Sequence, residues 1–136
     1  MSLEETLIIF KPETVERKLV HKLIKLWEQK GYTIVASRLL VADKRVMELH
    51  YAEHADKLFY SALVERMTRG PCIVMIVRGA GVIQWSRDVI GATYPRAACA
   101  QSVRGKYATE MEYNLVHASD SVASAEREIA LWKPLL

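Results

Sequence analysis

The sequence has 136 residues, of which 26% are charged and 51% hydrophobic, and its formal net charge is +3. This length fits one domain over residues 1–136, and no apolar run approaches the roughly 20 residues of a membrane-spanning helix. The acidic start, Met1–Glu5, lacks the basic and apolar regions of a signal peptide. Cys72 and Cys99 suggest neither a disulfide framework nor a metal site. We therefore expect a soluble cytoplasmic protein and exclude the membrane and disulfide-rich secreted classes.

Basic residues are concentrated in the middle of the chain. Between Lys57 and Lys106 there are eight Lys or Arg residues and two acidic ones, an excess of six, so the remaining residues sum to −3. This distribution fits a polyanionic ligand such as a nucleotide. A solvated basic surface would give the same pattern, so the charge alone leaves both interpretations open.

The apolar pattern of the first half predicts two strands and three helices. In chain order these are a strand at 7–10, a helix at 15–30, a strand at 32–41, and helices at 44–51 and 58–69. Pro12 ends the first strand because it has no N–H for the ladder, which places Lys11 at the strand end. Gly31 ends the first helix.

The second half predicts two further strands and two helices. They are a strand at 72–77, a helix that ends near 90, a long loop at 91–103, a strand at 115–116 and a helix at 122–132. This order predicts a ferredoxin-like βαββαβ α/β sandwich, with a four-stranded antiparallel sheet covered by helices. The chain has no glycine-rich phosphate loop, so side chains would have to hold any nucleotide phosphates.

The octet at 114–121, Asn-Leu-Val-His-Ala-Ser-Asp-Ser, is the most informative segment. Its apolar residues predict a buried strand whose end presents His117, and three helix-capping residue types follow at once. The start of a helix nearby would offer N–H donors and a positive dipole end to a phosphate. A lone histidine beside apolar residues is nevertheless most often structural.

The octet resembles the active-site signature of the nucleoside diphosphate kinases, Asn-x-x-His-Gly/Ala-Ser-Asp-Ser. The segment Ile-Phe-Lys-Pro-Glu-Thr-Val at 9–15 is similar to the first strand and Lys-Pro-Asp motif of that family, and the likeness extends from about Glu5 to Trp132. It implies a ping-pong reaction in which His117 takes the γ-phosphoryl group of a nucleoside triphosphate such as ATP and passes it to a nucleoside diphosphate. The expected cofactor is Mg²⁺, held mainly by the nucleotide phosphates and not by protein side chains.

The resemblance also implies a role for each further site residue. Glu128 and Ser119 would orient His117, and Lys11 and Asn114 would hold the sugar hydroxyl. The side chains implied at the phosphates are Lys11, Tyr51, Arg87, Thr93 and Arg104, the last two on a long loop that also contacts neighbouring subunits. Phe59 and Met111 would enclose the base. Stacking on Phe59 would tolerate any base, because every base has a π-face.

Three segments depart from the family pattern, and they bear mainly on assembly. They are Tyr94-Pro95 in place of the usual Asn-Pro, the stretch at 100–106 ahead of and around Arg104, and Glu112-Tyr113 in place of Gly-Arg. The family forms tetramers or hexamers of dimers. The ending Leu131–Pro134 looks more like the hexameric members, so we expect a homo-oligomer with a hexamer favoured.

Two other functions fit parts of the pattern. A protein-histidine phosphotransferase would also use His117 but would pass the phosphate to a protein. A ferredoxin-like nucleic-acid-binding module would use the basic segment, with Phe59 or Tyr60 for stacking. No aromatic-glycine RNA-binding motif occurs in the chain, so nucleic acid is a secondary expectation.

Overall fold

The computed structural model describes residues 3–91, 101–108 and 114–136. Within these ranges four strands form one sheet: β1 Leu3–Phe10, β2 Thr33–Val41, β3 Pro71–Ala80 and β4 Val116–Ala118. The sheet order is β2-β3-β1-β4, and each neighbouring pair is antiparallel. The predicted ferredoxin-like fold is therefore confirmed.

Seven α-helices connect and cover these strands in the described ranges. They are α1 Pro12–Glu16, α2 Val20–Lys30, α3 Lys44–His50, α4 Tyr60–Thr68, α5 Val82–Ile90, α6 Val103–Tyr107 and α7 Val122–Trp132. Short 3-10 turns lie at Ala52–His54 and Lys133–Leu135. Among the described helices, none has the length and apolar character needed to cross a membrane.

The central strand β1 is buried on both faces of the sheet. Successive side chains of a strand point to opposite faces, so Ile8 and Phe10 pack with Trp27 of α2 in one core. Leu7 and Ile9 pack on the other side with residues of α3, α4 and α7. Burial on both faces explains why residues 7–10 of this strand form an uninterrupted apolar run rather than an alternating one.

The pairing of β1 with β4 places His117 beside the end of β1. Ile9 pairs with His117 and Phe10 with Val116. Lys11, the next residue, donates its backbone N–H to the carbonyl of Leu115 at 2.9 Å. The two segments that carry the family motifs therefore lie side by side at one edge of the sheet.

The structure corrects three local expectations. The helix predicted at 15–30 is two helices, α1 and α2, separated around Lys18, which has a φ of 59°. Arg104 lies on the short helix α6 and not on a loop, because the Ser102 side chain caps this helix by accepting from Gly105 N. Leu115 has a φ of 77° and lies outside the strand, so His117 is the middle residue of β4 rather than its end.

Candidate active site

A cavity of about 410 Å³ opens beside β4, and it brings together residues from distant parts of the chain. Eight of the predicted site residues line it: Lys11, Tyr51, Phe59, Arg87, Arg104, Asn114, His117 and Glu128. Ser119 lies directly behind Glu128. Thr93 and Met111 lie outside the described residues, so their predicted places stay predictions.

The His117 side chain is held through one of its two ring nitrogens. Its Nε2 lies 2.7 Å from Glu128 Oε1, and Ser119 Oγ donates to the same oxygen at 2.7 Å. Ser119 Oγ in turn accepts from the backbone N–H of Leu7 at 3.3 Å. A carboxylate only accepts, so the proton of a neutral His117 lies on Nε2. Nδ1 is then left with its lone pair.

The position of Glu128 follows from where α7 begins. Ser121 caps this helix by accepting from Ser124 N at 3.1 Å, as the capping residues of the octet predicted. Ala125, Glu128 and Trp132 then share the buried face of the helix, since residues three and four apart lie on one side. Glu128 is only 4% exposed, so its charge acts in dry surroundings.

Lys11 is a buried cation at the floor of the cavity. It is 7% exposed, and Nζ donates to Asn114 Oδ1 at 2.6 Å. Burial lowers the pKa of Lys11 from 10.5 to about 8; the nearby Glu13 raises it and the Arg104 charge lowers it. The lysine thus lies in a place where its charge has little solvent to stabilise it.

Two arginines add positive charge to the same cavity. Arg104 donates to the backbone carbonyls of Asn114, Gly91 and Val116 at 3.2, 2.9 and 2.7 Å. Burial, and then the charge of Arg87, lowers the pKa of Arg104 to about 10, so it stays charged at neutral pH. Arg87 donates to the carbonyl of Ala118 at 3.2 Å.

Within the described residues, the hydrogen-bond acceptors of Lys11, Arg87 and Arg104 are neutral carbonyl and amide oxygens. Buried charges are normally paired, since an unpaired charge in a low-dielectric site is strongly destabilising. Three carboxylates, Glu53, Asp120 and Glu128, line the same cavity, and a hydrogen bond from Ser124, together with the charge of Arg87, lowers the pKa of Asp120. The three cations, whose hydrogen-bond acceptors in the described ranges are neutral, therefore form the part of the cavity that is complementary to a polyanion.

The rim of the cavity carries aromatic side chains. Phe59, just before α4, is 39% exposed, and the His54 ring meets it edge-on at 5.7 Å. An exposed ring at a cavity mouth can stack on a planar ligand. Tyr51 lies deeper, 8% exposed, with a buried hydroxyl that has no partner among the described residues. Burial raises the pKa of Tyr51, so it remains a neutral donor.

Sequence reasoning missed three residues that shape this site. His50 lines the cavity and touches the His117 ring. Glu13 Oε2 accepts from the backbone N–H of Leu115 at 3.1 Å, and Thr14 Oγ1 donates to its carbonyl at 2.6 Å. The adjacency of His50 to the predicted Tyr51 was the only sequence signal for it. Nothing in the sequence pattern pointed to the contacts of Glu13 and Thr14.

One group of described residues has the composition of a metal site. His50, His117 and Glu128 each offer a ligand atom, and these atoms lie within 4.8 Å of one another. The group includes His117 itself, so a metal bound there would compete with any chemistry at this histidine.

The family model for nucleoside diphosphate kinase matches residues 4–134. The chain belongs to the nucleoside diphosphate kinase family. A nucleoside diphosphate kinase from Moorella thermoacetica is 46% identical over 132 residues, which is 97% of this chain and 95% of that protein. Nucleoside diphosphate kinase 3 from Homo sapiens is 43% identical over 129 residues, 95% of this chain and 76% of that protein.

Solved structures give the same assignment. The crystal structure of nucleoside diphosphate kinase from Encephalitozoon cuniculi matches with a TM-score of 0.92 at 36% identity, covering 95% of this chain and 88% of that chain. The predicted family, fold and enzyme class, nucleoside diphosphate kinase, are therefore confirmed.

Proposed function

We propose that this nucleoside diphosphate kinase works through a covalent phosphate on Nδ1 of His117. The observation that carries the proposal is the bond between His117 Nε2 and Glu128 Oε1 at 2.7 Å. It occupies one ring nitrogen and leaves the other as the nucleophile. His117 is partly exposed to the cavity, with 18% of its side chain accessible, whereas Glu128 is buried.

The reaction has two mirrored steps. The Nδ1 lone pair attacks the γ-phosphorus of a nucleoside triphosphate such as ATP, an N–P bond forms, and the bond to the bridging oxygen breaks. The nucleoside diphosphate leaves with that electron pair. A second nucleoside diphosphate then attacks the phosphohistidine with its terminal phosphate oxygen and regenerates His117. Glu128, supported by Ser119, stabilises the positive charge that the imidazole ring acquires.

The three cations of the cavity would hold the phosphates during transfer. Phosphoryl transfer depends mainly on positioning and on stabilising charge over the phosphate oxygens. Lys11, Arg87 and Arg104 supply positive charge, and the described hydrogen-bond acceptors of these side chains are neutral. Tyr51 offers a hydroxyl that has no partner in the described ranges. Thr93 is proposed to add a further phosphate contact.

The nucleoside part of the substrate would lie toward the rim. We expect Lys11 and Asn114 to bind the sugar hydroxyl, and Phe59 to stack on the base with Met111 opposite. Mg²⁺ would enter as part of the substrate, bound mainly to the phosphates, since this ion prefers phosphate oxygens and retained waters.

The remaining expectations concern the whole chain. We propose that residues 1–136 act as a single catalytic domain, that copies assemble into a homo-oligomer with a hexamer favoured over a tetramer, and that the enzyme works in the cytoplasm. Exposed apolar side chains on β2, including Leu39 and Val41, support self-association.

Intact mass under neutral denaturing conditions tests the mechanism. Wild type, His117→Ala and His21→Ala, a control at an exposed histidine of α2, are incubated with ATP and Mg²⁺ and then chased with GDP. We expect one added phosphate in wild type and His21→Ala, none in His117→Ala, and removal by GDP with formation of GTP.

Each other outcome selects a different function. Phosphate that stays on His117 during the chase would favour a protein-histidine phosphotransferase. No added phosphate in any of the proteins would reject the covalent mechanism and favour the nucleic-acid-binding interpretation, whose sign is oligonucleotide binding that weakens steeply with salt.

A further inference from the structure

His50 is a buried histidine beside His117. It is the last residue of α3, it is 2% exposed, and it lines the cavity. Its ring meets the His117 ring edge to face, with centroids 4.5 Å apart and an interplanar angle of 75°. His50 therefore packs directly against the proposed nucleophile.

The indole of Trp132 fixes which nitrogen of His50 carries the proton. Trp132 Nε1 lies 2.9 Å from His50 Nδ1. An indole N–H can only donate, so Nδ1 must accept with its lone pair. Burial, followed by the charges of His117 and Arg127, lowers the pKa of His50 well below its usual value. The ring is therefore neutral at physiological pH and carries its proton on Nε2.

The backbone of His50 is fixed against α7, the helix that carries Glu128 and Trp132. Arg127 donates from Nη1 to the carbonyl of Leu49 and from Nη2 to the carbonyl of His50, both at 3.2 Å. The end of α3 therefore keeps a constant position relative to the buried face of α7.

The Nε2–H of His50 has no hydrogen-bond partner among the described residues, although the atom is fully buried. Buried N–H groups are nearly always bonded, so this donor requires an explanation. A ring nitrogen of His50 and a carboxylate oxygen of Glu128 lie within 4.8 Å of each other. Since Nδ1 is engaged by Trp132, we assign the nitrogen that faces Glu128 to Nε2. An N–H dipole directed at a buried carboxylate stabilises it, because the dry surroundings screen it weakly.

The bond from Trp132 argues against a metal at this place. Two histidines and one glutamate are a known zinc ligand set. Coordination through His50 Nε2, however, would place the ring proton on Nδ1, where it would face the indole N–H, donor against donor. A ligating histidine normally gives its other N–H to an acceptor. In His50 the other nitrogen, Nδ1, accepts a hydrogen bond instead of donating one. Its contacts therefore suit a hydrogen-bond donor at Nε2 and not a metal ligand.

We propose that His50 is a positioning residue for phosphoryl transfer: its Nε2–H, fixed by Trp132, supports the Glu128 carboxylate, which in turn orients His117. The proposal rests on the function proposed above for His117. With this support Glu128 is held as an acceptor for His117 Nε2–H, and Nδ1 keeps its lone pair toward the cavity.

Two substitutions of His50 separate hydrogen-bond donation from packing. His50→Gln keeps an N–H donor close to the position of Nε2, whereas His50→Phe keeps the ring shape and removes the donor. His21→Gln, at an exposed histidine of α2, is the matched control. The measurements are the rate of phosphohistidine formation by rapid quench, the KM for ATP, and the pH dependence of that rate.

We expect His50→Phe to slow phosphohistidine formation about 10- to 100-fold, by analogy with the loss of a residue that hydrogen-bonds a metal ligand from behind. The KM for ATP should change little, because His50 is not a proposed nucleotide contact. His50→Gln should recover most of the rate. The charged and titratable groups around His50 stay in place in both variants; they are His117, Glu128, Arg127, Lys11, His54 and Tyr51. A shifted pH profile in His50→Phe therefore reports on His50.

Three results would overturn the proposal while leaving the covalent mechanism intact. They are an unchanged rate in His50→Phe, an equal loss in both His50 variants with an unchanged pH profile, and Zn²⁺ binding that His50→Gln abolishes. Absence of phosphohistidine in wild type would instead reject the mechanism itself.

Ring nitrogen spectra of ¹⁵N-histidine-labelled, ligand-free protein test the proton position independently of activity. We expect the His50 proton on Nε2 from about pH 6 to 8, and a mixture of both tautomers in Trp132→Phe. A proton on Nδ1 in wild type would contradict the proposal.

Discussion

Lys11 combines its proposed role in binding with a penalty for folding. In the folded protein its pKa is about 8, whereas a solvated lysine has 10.5. Between these two values the unfolded chain binds more protons than the folded one, so the free energy of unfolding rises with pH across this window. Below about pH 8 the charged Lys11 therefore destabilises the fold, by up to about 3 kcal/mol.

Lys11→Met tests this balance, because methionine keeps a long apolar side chain without the charge. We expect the variant to lose most phosphoryl transfer, yet to unfold at a higher urea concentration than wild type at neutral pH. The difference between the two proteins should shrink as the pH approaches 10.5, where the folded wild type has lost the Lys11 proton and about half of its unfolded chains have lost it too.

Urea denaturation of both proteins at neutral pH and near pH 10.5 provides the measurement. The other titratable groups are the same in both proteins, so their contribution cancels in the difference between the two free energies of unfolding. An identical pH dependence in wild type and Lys11→Met would show that Lys11 does not titrate in this window.

At the level of single residues, the site could be predicted where a short motif covers it. Lys11, Asn114 and His117 lie in the two segments that resemble the family, and the structure places them at one cavity. His50 could not be predicted, because its proton position depends on Trp132, which is 82 residues away. Hydrogen bonds between distant residues leave no spacing pattern in a sequence.

The turn that leads into β4 depends on α1. Leu115 has a φ of 77°, a region that large side chains rarely adopt. Its N–H donates to Glu13, and its carbonyl accepts from the hydroxyl of Thr14 and the backbone N–H of Lys11. These contacts hold a strained conformation whose direction sets where His117 lies two residues later.

Thr14→Val removes one of these contacts and preserves the shape of the side chain. Thr14 is fully buried, and its hydroxyl lies 2.6 Å from the carbonyl of Leu115. We expect a loss of about 1 kcal/mol in the free energy of unfolding. We also expect phosphohistidine to form at least about tenfold more slowly, because small displacements of a reacting group are costly.

Two further variants control this experiment. Thr68→Val makes the same chemical change where the hydroxyl donates locally, to the carbonyls of Val64 and Glu65 in α4, so it should leave the rate of phosphorylation unchanged. Thr14→Ser keeps the hydroxyl and should restore the rate. Equal rates in Thr14→Val and wild type would show that this contact does not position His117.

Most helices and strands could be predicted because their apolar residues follow a period. The exceptions are the places where tertiary contacts decide the backbone: the break between α1 and α2 at Lys18, and the positive φ of Leu115. The short helix α6 lies in a stretch without any hydrophobic period. Its start is stabilised locally by the side chain of Ser102, which caps it. Such features depend on one or two hydrogen bonds, which a periodicity analysis does not detect.

At the scale of the whole molecule, the sheet has cores on both faces, and β2 is one of its two edge strands. β2 lies at the end of the order β2-β3-β1-β4, and its Leu39 and Val41 are 57% and 64% exposed. An edge strand offers unpaired backbone groups, and apolar side chains on it favour association. The proposed homo-oligomer would cover this surface with a second copy of the chain.

Leu39→Lys should weaken that association, because a charge would be buried at the contact. We expect light scattering after size exclusion to give a mass several times that of one chain for wild type and a smaller mass for the variant. Leu58→Lys makes the same change at a fully exposed leucine and should leave the mass unchanged. A monomeric wild type, or an unchanged mass in Leu39→Lys, would contradict the proposed use of β2.

The short strand β4 also has a consequence for the time course of folding. Its pairing with β1 brings together residues far apart in sequence, as do the bonds from Lys11 to Asn114 and from Leu7 to Ser119, which span 103 and 112 residues. Closing such a long loop has a large entropic cost. These contacts therefore form only after local structure has formed and offset part of that cost. We expect the reactive centre to be assembled late, so that a refolding chain regains its sheet and helices before it regains the capacity to carry phosphate.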